Sequence, residues 1–220
     1  MFSNKELRSM IITLFFEQLL VMFVGIVDTF VVSSCGEAAV SGVSLVNQFN
    51  TIFIYLFTAL ASGGAIIVSQ YIGNKDEKRT VLSSSQLLMF SIVFSIILSI
   101  LVLIFNKQLL GLLFGKVESD VMKACVTYLR ISAYSYPALA IYNAGAALYR
   151  SMAKTKVTMY ISFAANIINV VGNIIGVYVL KAGVAGVAYP SLISRVFSAI
   201  IITVLCCLLY TSPSPRDRQK

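Results

Sequence analysis

Long apolar segments dominate this sequence of 220 residues. A helix needs about 20 mostly apolar residues to cross about 30 Å of bilayer hydrocarbon. Six segments fit this length, so the sequence predicts an all-α polytopic membrane protein with six transmembrane helices. The predicted spans are residues 10–32, 45–72, 87–105, 125–149, 157–180 and 184–209, with an interruption of the second at Gly63-Gly64 and breaks in the backbone hydrogen bonding at Pro137 and Pro190.

The composition agrees with a membrane protein and argues against an enzyme. Hydrophobic residues make up 58% of the chain and charged residues 12%, against about 25% charged in soluble domains. Histidine is absent, which excludes imidazole metal sites and His-based triads. The four cysteines form no C-x-x-C pair, so the zinc and thioredoxin spacings are absent. We therefore predict no enzyme activity, no cofactor and no metal site other than one for Na⁺.

The net charge of +8 is explained by the predicted loops rather than by nucleic acid. Basic residues gather in cytoplasmic loops and orient the spans. One side has eight: Lys5, Arg8, Lys75, Lys78, Arg79, Arg150, Lys154 and Lys156. The other side has four: Lys107, Lys116, Lys123 and Lys181. We therefore expect a multi-pass protein of the plasma membrane, bacterial inner membrane in type, with a cytoplasmic N-terminus, the lipid bilayer around it and no nucleic-acid partner.

Asp28 is an acidic residue within the first predicted span. Such residues are rare in membrane spans and face a bundle interior or a water-filled cavity. With the orientation above, Asp28 lies about 7 Å from the outer end of its span at 1.5 Å per residue. Asn173 and Ser191 lie about 10 Å from the outer ends of spans five and six, and Asn169 about 16 Å. These four residues are thus predicted to share the outer half of the membrane.

A carboxylate, two amide oxygens and a hydroxyl at similar depth suit a Na⁺ ion, or a proton held on Asp28. Asn169 and Asn173 are four residues apart and lie on one helix face. The same asparagines could instead join helices by hydrogen bonds, as polar residues often do in membranes. From the residues alone, both interpretations stay open.

Other polar positions outline a candidate substrate pathway. Glu17 precedes Asp28 by eleven residues, a rotation of about 1100°, so the two share a helix face within about 20°. Glu17 either meets a cationic substrate or pairs with Arg130 or Arg195, and pairing is favoured because intramembrane charges find partners. Structural hydrogen bonding competes with a cavity-lining role for the other candidates, which are Asn47, Gln48, Tyr142 and Asn143.

The C-terminal residues 210–220 break the apolar pattern, because they are polar and rich in proline and serine. One interpretation is a disordered cytoplasmic tail. We prefer another, that this tail is not native, because the ending LLYTSPSPRDRQK resembles a translated sequencing-adapter read-through. Residues 1–209 are then one transmembrane domain.

Four segments together resemble the multidrug and toxic compound extrusion (MATE) family. They are VDTFVVSSCGEAAVSGVSL, SGGAIIVSQYIGNKDEKR, ALYRSMAKTKVTMYISFAANIINVVGN and GVAGVAYPSLISR. The resemblance covers roughly residues 8–207, in order and at family spacing. A match over several segments is more specific than a single short motif.

The resemblance implies a cation-coupled antiporter of twelve spans in two six-span lobes, which exports amphipathic, often cationic, compounds by alternating access. It also implies that Asp28 is the family's span-one acid, that Asn169 and Asn173 occupy the polar positions of the span-five motif, and that Ser191 stands where threonine is usual. Asn173 replaces the aspartate of some members, which leaves Na⁺ or H⁺ open as the coupling ion. The first span also lacks the proline of some members.

Only six spans are predicted, so the resemblance implies a truncated N-terminal lobe whose C-terminal lobe is missing. Our sequence-based hypothesis is the N-terminal half of a multidrug antiporter. A lipid-linked oligosaccharide flippase of the same superfamily is an alternative, but Arg130 and Arg195 are the only basic residues within the predicted spans that could meet a diphosphate. A non-transporting membrane subunit is a further alternative.

Overall fold

The computed structural model describes residues 4–115 and 117–211, and in that part the chain is helical without strands. The all-α class is thereby confirmed for the described ranges. Most of the tail, residues 212–220, lies outside them, so its foreign origin stays a prediction. The helices are α1 (Asn4–Ser33), α2 (Glu37–Gly73), α3 (Glu77–Phe114), α4 (Ser119–Tyr134), α5 (Tyr136–Ser151), α6 (Thr155–Ile174) and α7 (Ala185–Thr211), with a π-helical turn (Ile175–Val179) that continues α6.

Five helices of the described part are long and apolar enough to cross a membrane by themselves: α1, α2, α3, α6 with its π-helical turn, and α7. The predicted fourth span, residues 125–149, is instead shared by α4 and α5, which have 16 residues each and follow one another at Ser135. Pro137 lies in the first turn of α5. Proline is accepted in a first helical turn because it lacks the N–H that would be unpaired there. The predicted break at Pro137 is therefore a junction between two helices.

The predicted interruption of span two at Gly63-Gly64 is wrong, because α2 continues through both glycines to Gly73. Gly64 lies against Leu87 of α3, and a Cβ atom at Gly64 would collide with the leucine side chain. A glycine within a helix costs about 1 kcal/mol relative to alanine. Here close packing between α2 and α3 explains the glycine without a break in the helix.

The core is built around α2, whose buried aromatic residues meet α5. Phe53 stacks on Tyr136 with ring centroids 4.7 Å apart. The hydroxyl of Tyr136 donates a 2.7 Å hydrogen bond to Oδ1 of the buried Asn50. Buried polar groups need such partners because an unpaired one costs about 1–3 kcal/mol. This bond fixes the start of α5, next to the junction at Ser135.

Close approach of α6 and α7 positions the polar residues described below. The backbones of Gly176 and Gly186 touch, so a Cβ atom on either glycine would collide with the other residue. One turn away, a Cβ atom on Gly172 would lie 2.6 Å from Cβ of Pro190. Small residues let membrane helices approach this closely. The spacing Gly172-x-x-x-Gly176 therefore serves the close packing of these two helices.

Candidate ion-binding site

A chain of hydrogen bonds joins Asp28 to Asn173, Asn169 and Ser191. Nδ2 of Asn173 donates to Oδ1 of Asp28 at 2.5 Å and to Oδ1 of Asn169 at 3.1 Å. Nδ2 of Asn169 donates to Oγ of Ser191 at 2.9 Å. Ser191 in turn donates to the backbone carbonyl of Val187, 3.1 Å away. The structure thus brings together the four residues that the sequence placed at similar depth.

Three helices contribute to this site. Asp28 lies just over one turn before the end of α1, both asparagines lie on α6, and Ser191 lies in the second turn of α7. Asn173 is fully buried and Asn169 is 7% exposed, whereas Asp28 is only partly buried. The site is therefore closed on the α6–α7 side and more open at its carboxylate.

Oδ1 of Asn173 is buried and has no hydrogen-bond partner in the described part of the chain. Nδ2 of the same amide faces the carboxylate of Asp28. Rotation of this amide would exchange the two atoms and turn an oxygen toward Asp28. Hard cations bind oxygen ligands of this kind. The site offers one carboxylate, two amide oxygens and one hydroxyl, a set that fits a monovalent cation better than a divalent one.

Tyr128 of α4 also lies beside this site, so a fourth helix contributes to its surroundings. The sequence analysis did not select this residue. It is 6% exposed, its hydroxyl interacts with Ser191 and Asn47, and it lies close enough to Asp28 to feel the charge of the carboxylate. Tyrosines are common in apolar spans, so the residue type gave no signal. The position of Tyr128 was the available signal, because it lies three residues, about 5 Å, from the outer end of the predicted fourth span and so at the depth of the site.

Glu17 forms an ion pair, but with a different arginine from either one predicted. Oε1 of Glu17 lies 3.6 Å from Nη2 of Arg150. The prediction of Arg130 or Arg195 is wrong, because Arg130 is exposed on α4 and Nη1 of Arg195 donates to Oγ of Ser135 at 2.7 Å. The predicted spans place Arg150 in a loop, whereas it belongs to the last turn of α5. A long arginine side chain can reach back from a helix end toward the interior.

The remaining pathway candidates do not form one cluster. Tyr142 interacts with Glu17, and its hydroxyl donates to the backbone carbonyl of Thr158 at 3.4 Å. Nδ2 of Asn143 is buried without a partner in the described residues. Asn47 is exposed next to Tyr128, and Gln48 is exposed as well. A role of these residues in a substrate pathway stays a prediction.

Comparison with known proteins decides the family. The MatE family model matches residues 13–175, which include Asp28, Asn169 and Asn173. The chain belongs to the MatE family. Among solved structures, it is similar to a MATE protein in the straight conformation, with a TM-score of 0.87, 20% identity and coverage of 97% of this chain. The fold is therefore that of one lobe of a MATE transporter, as the sequence predicted.

Two curated relatives from Bacillus subtilis (strain 168) resemble this MatE chain over most of its length. The uncharacterized transporter YisQ is 27% identical over 196 residues, which are 87% of this chain and 43% of YisQ. The probable multidrug resistance protein YoeA is 26% identical over 174 residues, 75% of this chain and 37% of YoeA. The MatE chain thus spans less than half of the length of either relative, and 48% of the solved MATE structure.

Proposed function

We propose that this MatE chain forms one lobe of a cation-coupled antiporter that exports amphipathic, often cationic, compounds from the cell. Its exchange partner would be Na⁺ or H⁺, bound at Asp28 with Asn169, Asn173 and Ser191. The hydrogen-bonded chain from Asp28 to Ser191 is the observation that supports this best. The name of YoeA as a probable multidrug resistance protein supports the class of substrate.

The geometry suggests how ion binding alters the lobe. Nδ2 of Asn173 now donates to the carboxylate of Asp28. A cation or proton on Asp28 neutralises this charge and favours an oxygen, rather than an N–H group, in front of it. The α1–α6 contact then changes. Antiport requires that the ion bind the two packing arrangements with different affinity, since equal affinity shifts nothing.

The substrate site would lie between this lobe and a second one. In repeat-built transporters the substrate binds near the bilayer midplane, at the interface between the repeats. The chain spans less than half of the solved MATE structure. A second lobe, continuous with this chain or supplied by another chain, would complete the cavity. Reading the gene beyond the codon for Leu209 in an independent clone tests the first arrangement.

The decisive experiment is Asp28→Asn in the intact transporter that carries this lobe, reconstituted into proteoliposomes. Export of a cationic dye is followed under an imposed Na⁺ gradient and, separately, under a H⁺ gradient. Bonds to a charged group are worth about 1.5–3 kcal/mol, so ion-driven export should fall about 10- to 100-fold. Glu37→Gln, at an exposed residue in the first turn of α2, is the matched control.

Three outcomes would contradict the proposal. Export by Asp28→Asn at the wild-type rate would exclude Asp28 as the coupling site. A change in assembly or stability without any effect on export would favour a non-transporting subunit instead. Movement of a lipid-linked oligosaccharide but not of the dye would favour the flippase alternative.

A further inference from the structure

Arg195 of α7 is a cation within the helix bundle that the candidate ion site does not use. Nη1 of Arg195 donates a 2.7 Å hydrogen bond to Oγ of the buried Ser135. Among the described residues, the ionisable side chains that interact with the guanidinium are those of Tyr128 and Tyr136, which are both buried. Arg195 therefore lies at the junction of α4 and α5, next to buried hydroxyl groups.

No carboxylate balances the charge of Arg195 within the described part of the chain. Glu17 pairs with Arg150, and the carboxylate of Asp28 accepts a hydrogen bond from Asn173. The interactions of Arg195 involve neither acidic residue. Charged residues within membrane spans pair with one another or mark the pathway of a substrate or an ion. A negatively charged partner for Arg195 is therefore expected from outside the described chain.

Part of the guanidinium of Arg195 is open to such a partner. The bond to Ser135 uses one of the five N–H donors of the group. Nε and Nη2 have no hydrogen-bond partner among residues 4–115 and 117–211, yet they do not belong to the fully buried unpaired atoms of those ranges. Arg195 as a whole is partly exposed, although the side chains around its charged end are buried. The two free nitrogens are thus accessible to a ligand.

The accessible side of Arg195 does not face lipid. The exposed apolar face of α7 includes Ile193 and Ile200. Arg195 follows Ile193 by two residues, a rotation of about 200°, so it lies on the opposite side of the helix. Ser191 of the candidate ion site is four positions earlier on the same face as Arg195. A ligand would therefore reach Arg195 from inside the bundle, about one helical turn below the level of Ser191.

Arg195 and Ser135 both lie near the middle of the membrane. Arg195 is ten residues from the start of α7, and Ser135 is ten residues from the outer end of the predicted fourth span. At 1.5 Å per residue, each is about 15 Å deep, which is half of about 30 Å of hydrocarbon. Repeat-built transporters bind their substrates near this depth. The position of Arg195 thus suits contact with a substrate.

The chemistry of the guanidinium selects the group that it would bind. Its planar N–H fork matches the two oxygens of a carboxylate through two parallel hydrogen bonds. A single arginine balances one negative charge, whereas a phosphate monoester carries about −1.5 to −2 at pH 7. With no second cation among the interactions of Arg195 in the described residues, a carboxylate fits better than a phosphate.

We propose that Arg195 binds a carboxylate group of the compound that this lobe helps to export. Nη1 keeps its bond to Ser135 and holds the guanidinium in place, while Nε and Nη2 donate to the two carboxylate oxygens. The inference rests on the proposed function. It narrows the substrates to amphipathic compounds that carry an acidic group, either zwitterionic or anionic.

Equilibrium binding of two dyes to the purified intact transporter that carries this lobe tests the inference without an ion gradient. One dye is a rhodamine with a free carboxylate, and the other is the ethyl ester of the same rhodamine. Wild type should bind the acid about 10- to 100-fold more tightly than the ester, the effect of hydrogen bonds to a charged group. Arg195→Gln should remove this preference by weakening the binding of the acid alone. Arg130→Gln, at an exposed arginine of α4, is the matched control and should keep the preference.

A structural role of Arg195 at the helix junction predicts different results. A cation near the last carbonyls of a helix stabilises the helix, and Ser135 follows the last residue of α4. If Arg195 served only this purpose, Arg195→Gln would weaken the binding of both dyes by the same factor, and wild type would not distinguish them. Ser135→Ala removes the hydroxyl but leaves the guanidinium, so it should keep the preference for the acid.

The dye preference of wild type decides the inference even if Arg195→Gln does not fold. Equal binding of the two dyes, or no binding of the acid, overturns the inference, as expected if an acidic residue of a second lobe paired with Arg195. A preference that persists in Arg195→Gln overturns it as well. None of these results touches the antiporter, which Asp28→Asn tests by export under an ion gradient. Wild-type export by Asp28→Asn with a preference for the acid would refute coupling at Asp28 and support the role of Arg195.

Discussion

The side-chain amide nitrogen of Asn173 lies 2.5 Å from Oδ1 of Asp28, although 145 positions separate the two residues. Because of this contact, the hydrogen bonding of an α6 side chain depends on the charge of the Asp28 carboxylate on α1. The amide nitrogen suits an ionised, ion-free carboxylate, and its buried oxygen suits the neutralised one. The state of Asp28 is thus linked to the orientation of one amide group.

Replacement of Asn173 by aspartate should strengthen cation binding. Asn173→Asp places a second carboxylate beside Asp28, and at alkaline pH both acids attract the cation. Coupling between neighbouring sites is typically worth about 1–3 kcal/mol, so the Na⁺ affinity should rise about 5- to 150-fold. Equilibrium binding of radioactive Na⁺ to the purified protein measures this. Asn74→Asp, at an exposed residue at the C-terminal end of α2, is the control, and equal gains in both variants would point to surface charge instead.

The hydroxyl of Ser191 should matter more than its size. Ser191→Ala leaves Nδ2 of Asn169 without its acceptor, and an unpaired buried donor costs about 1–3 kcal/mol. Ion binding should weaken accordingly, about 5- to 100-fold. Ser191→Thr keeps the hydroxyl and should bind like wild type. The same ion-binding assay decides, and a weak threonine variant with a normal alanine variant would show that shape, not hydrogen bonding, matters.

Na⁺ and H⁺ should compete, because both would bind the single carboxylate of the site. In the pH range where Asp28 is protonated, each unit by which the pH falls lowers the fraction of free carboxylate about tenfold. The apparent Na⁺ Kd therefore rises up to about tenfold for each unit of decrease in pH. On the alkaline side the Kd becomes independent of pH. Na⁺ binding measured across a pH series tests this. A Kd that is flat throughout would place the cation away from Asp28.

The backbone contact between α6 and α7 should tolerate no side chain. Gly176→Ala or Gly186→Ala forces a Cβ atom into the opposite backbone, and overpacking typically costs about 1–3 kcal/mol. A lower thermal midpoint in detergent is therefore expected. Gly25→Ala is the matched control, since a Cβ atom there meets nothing within 4 Å. Equal midpoints for all three variants would show that the helices separate easily.

The contacts among the four residues of the candidate site were more predictable from sequence than the ion pair of Glu17. Helix rise and orientation place Asp28, Asn169, Asn173 and Ser191 at similar depth. Their side chains are short, so each can contact only residues at about its own depth, and the contacts follow from position along the chain. The partner of Glu17 was missed because an arginine side chain is long enough to reach it from a helix end, where position along the chain says little. The contacts of Tyr128 depend on the packing of α4 against α7, which depth alone does not give.

Helix breaks were predictable only in part. Pro137, Pro190 and the glycine pair at Gly63-Gly64 are all sequence signals for a break. Only Pro137 marks a junction between helices, because α2 continues through the glycines and α7 through Pro190. Proline changes the backbone itself, since it removes a hydrogen-bond donor. A glycine breaks a helix only when tertiary contacts do not fill the space beside it, and Leu87 fills the space beside Gly64. The π-helical turn that follows α6 left no sequence signal that we recognised.

The contact of Gly176 with Gly186 has a mechanical consequence for the ion site. No side chain lies between these two backbones, so this contact cannot adjust through a change of side-chain rotamer. Asn169, Asn173 and Ser191 are therefore held in fixed positions relative to one another, whereas Asp28 comes from the separate helix α1. In the proposed function, an ion bound between Asp28 and these three residues would move α1 relative to α6 and α7. In that case α6 and α7 would stay together and α1 would be the helix that moves.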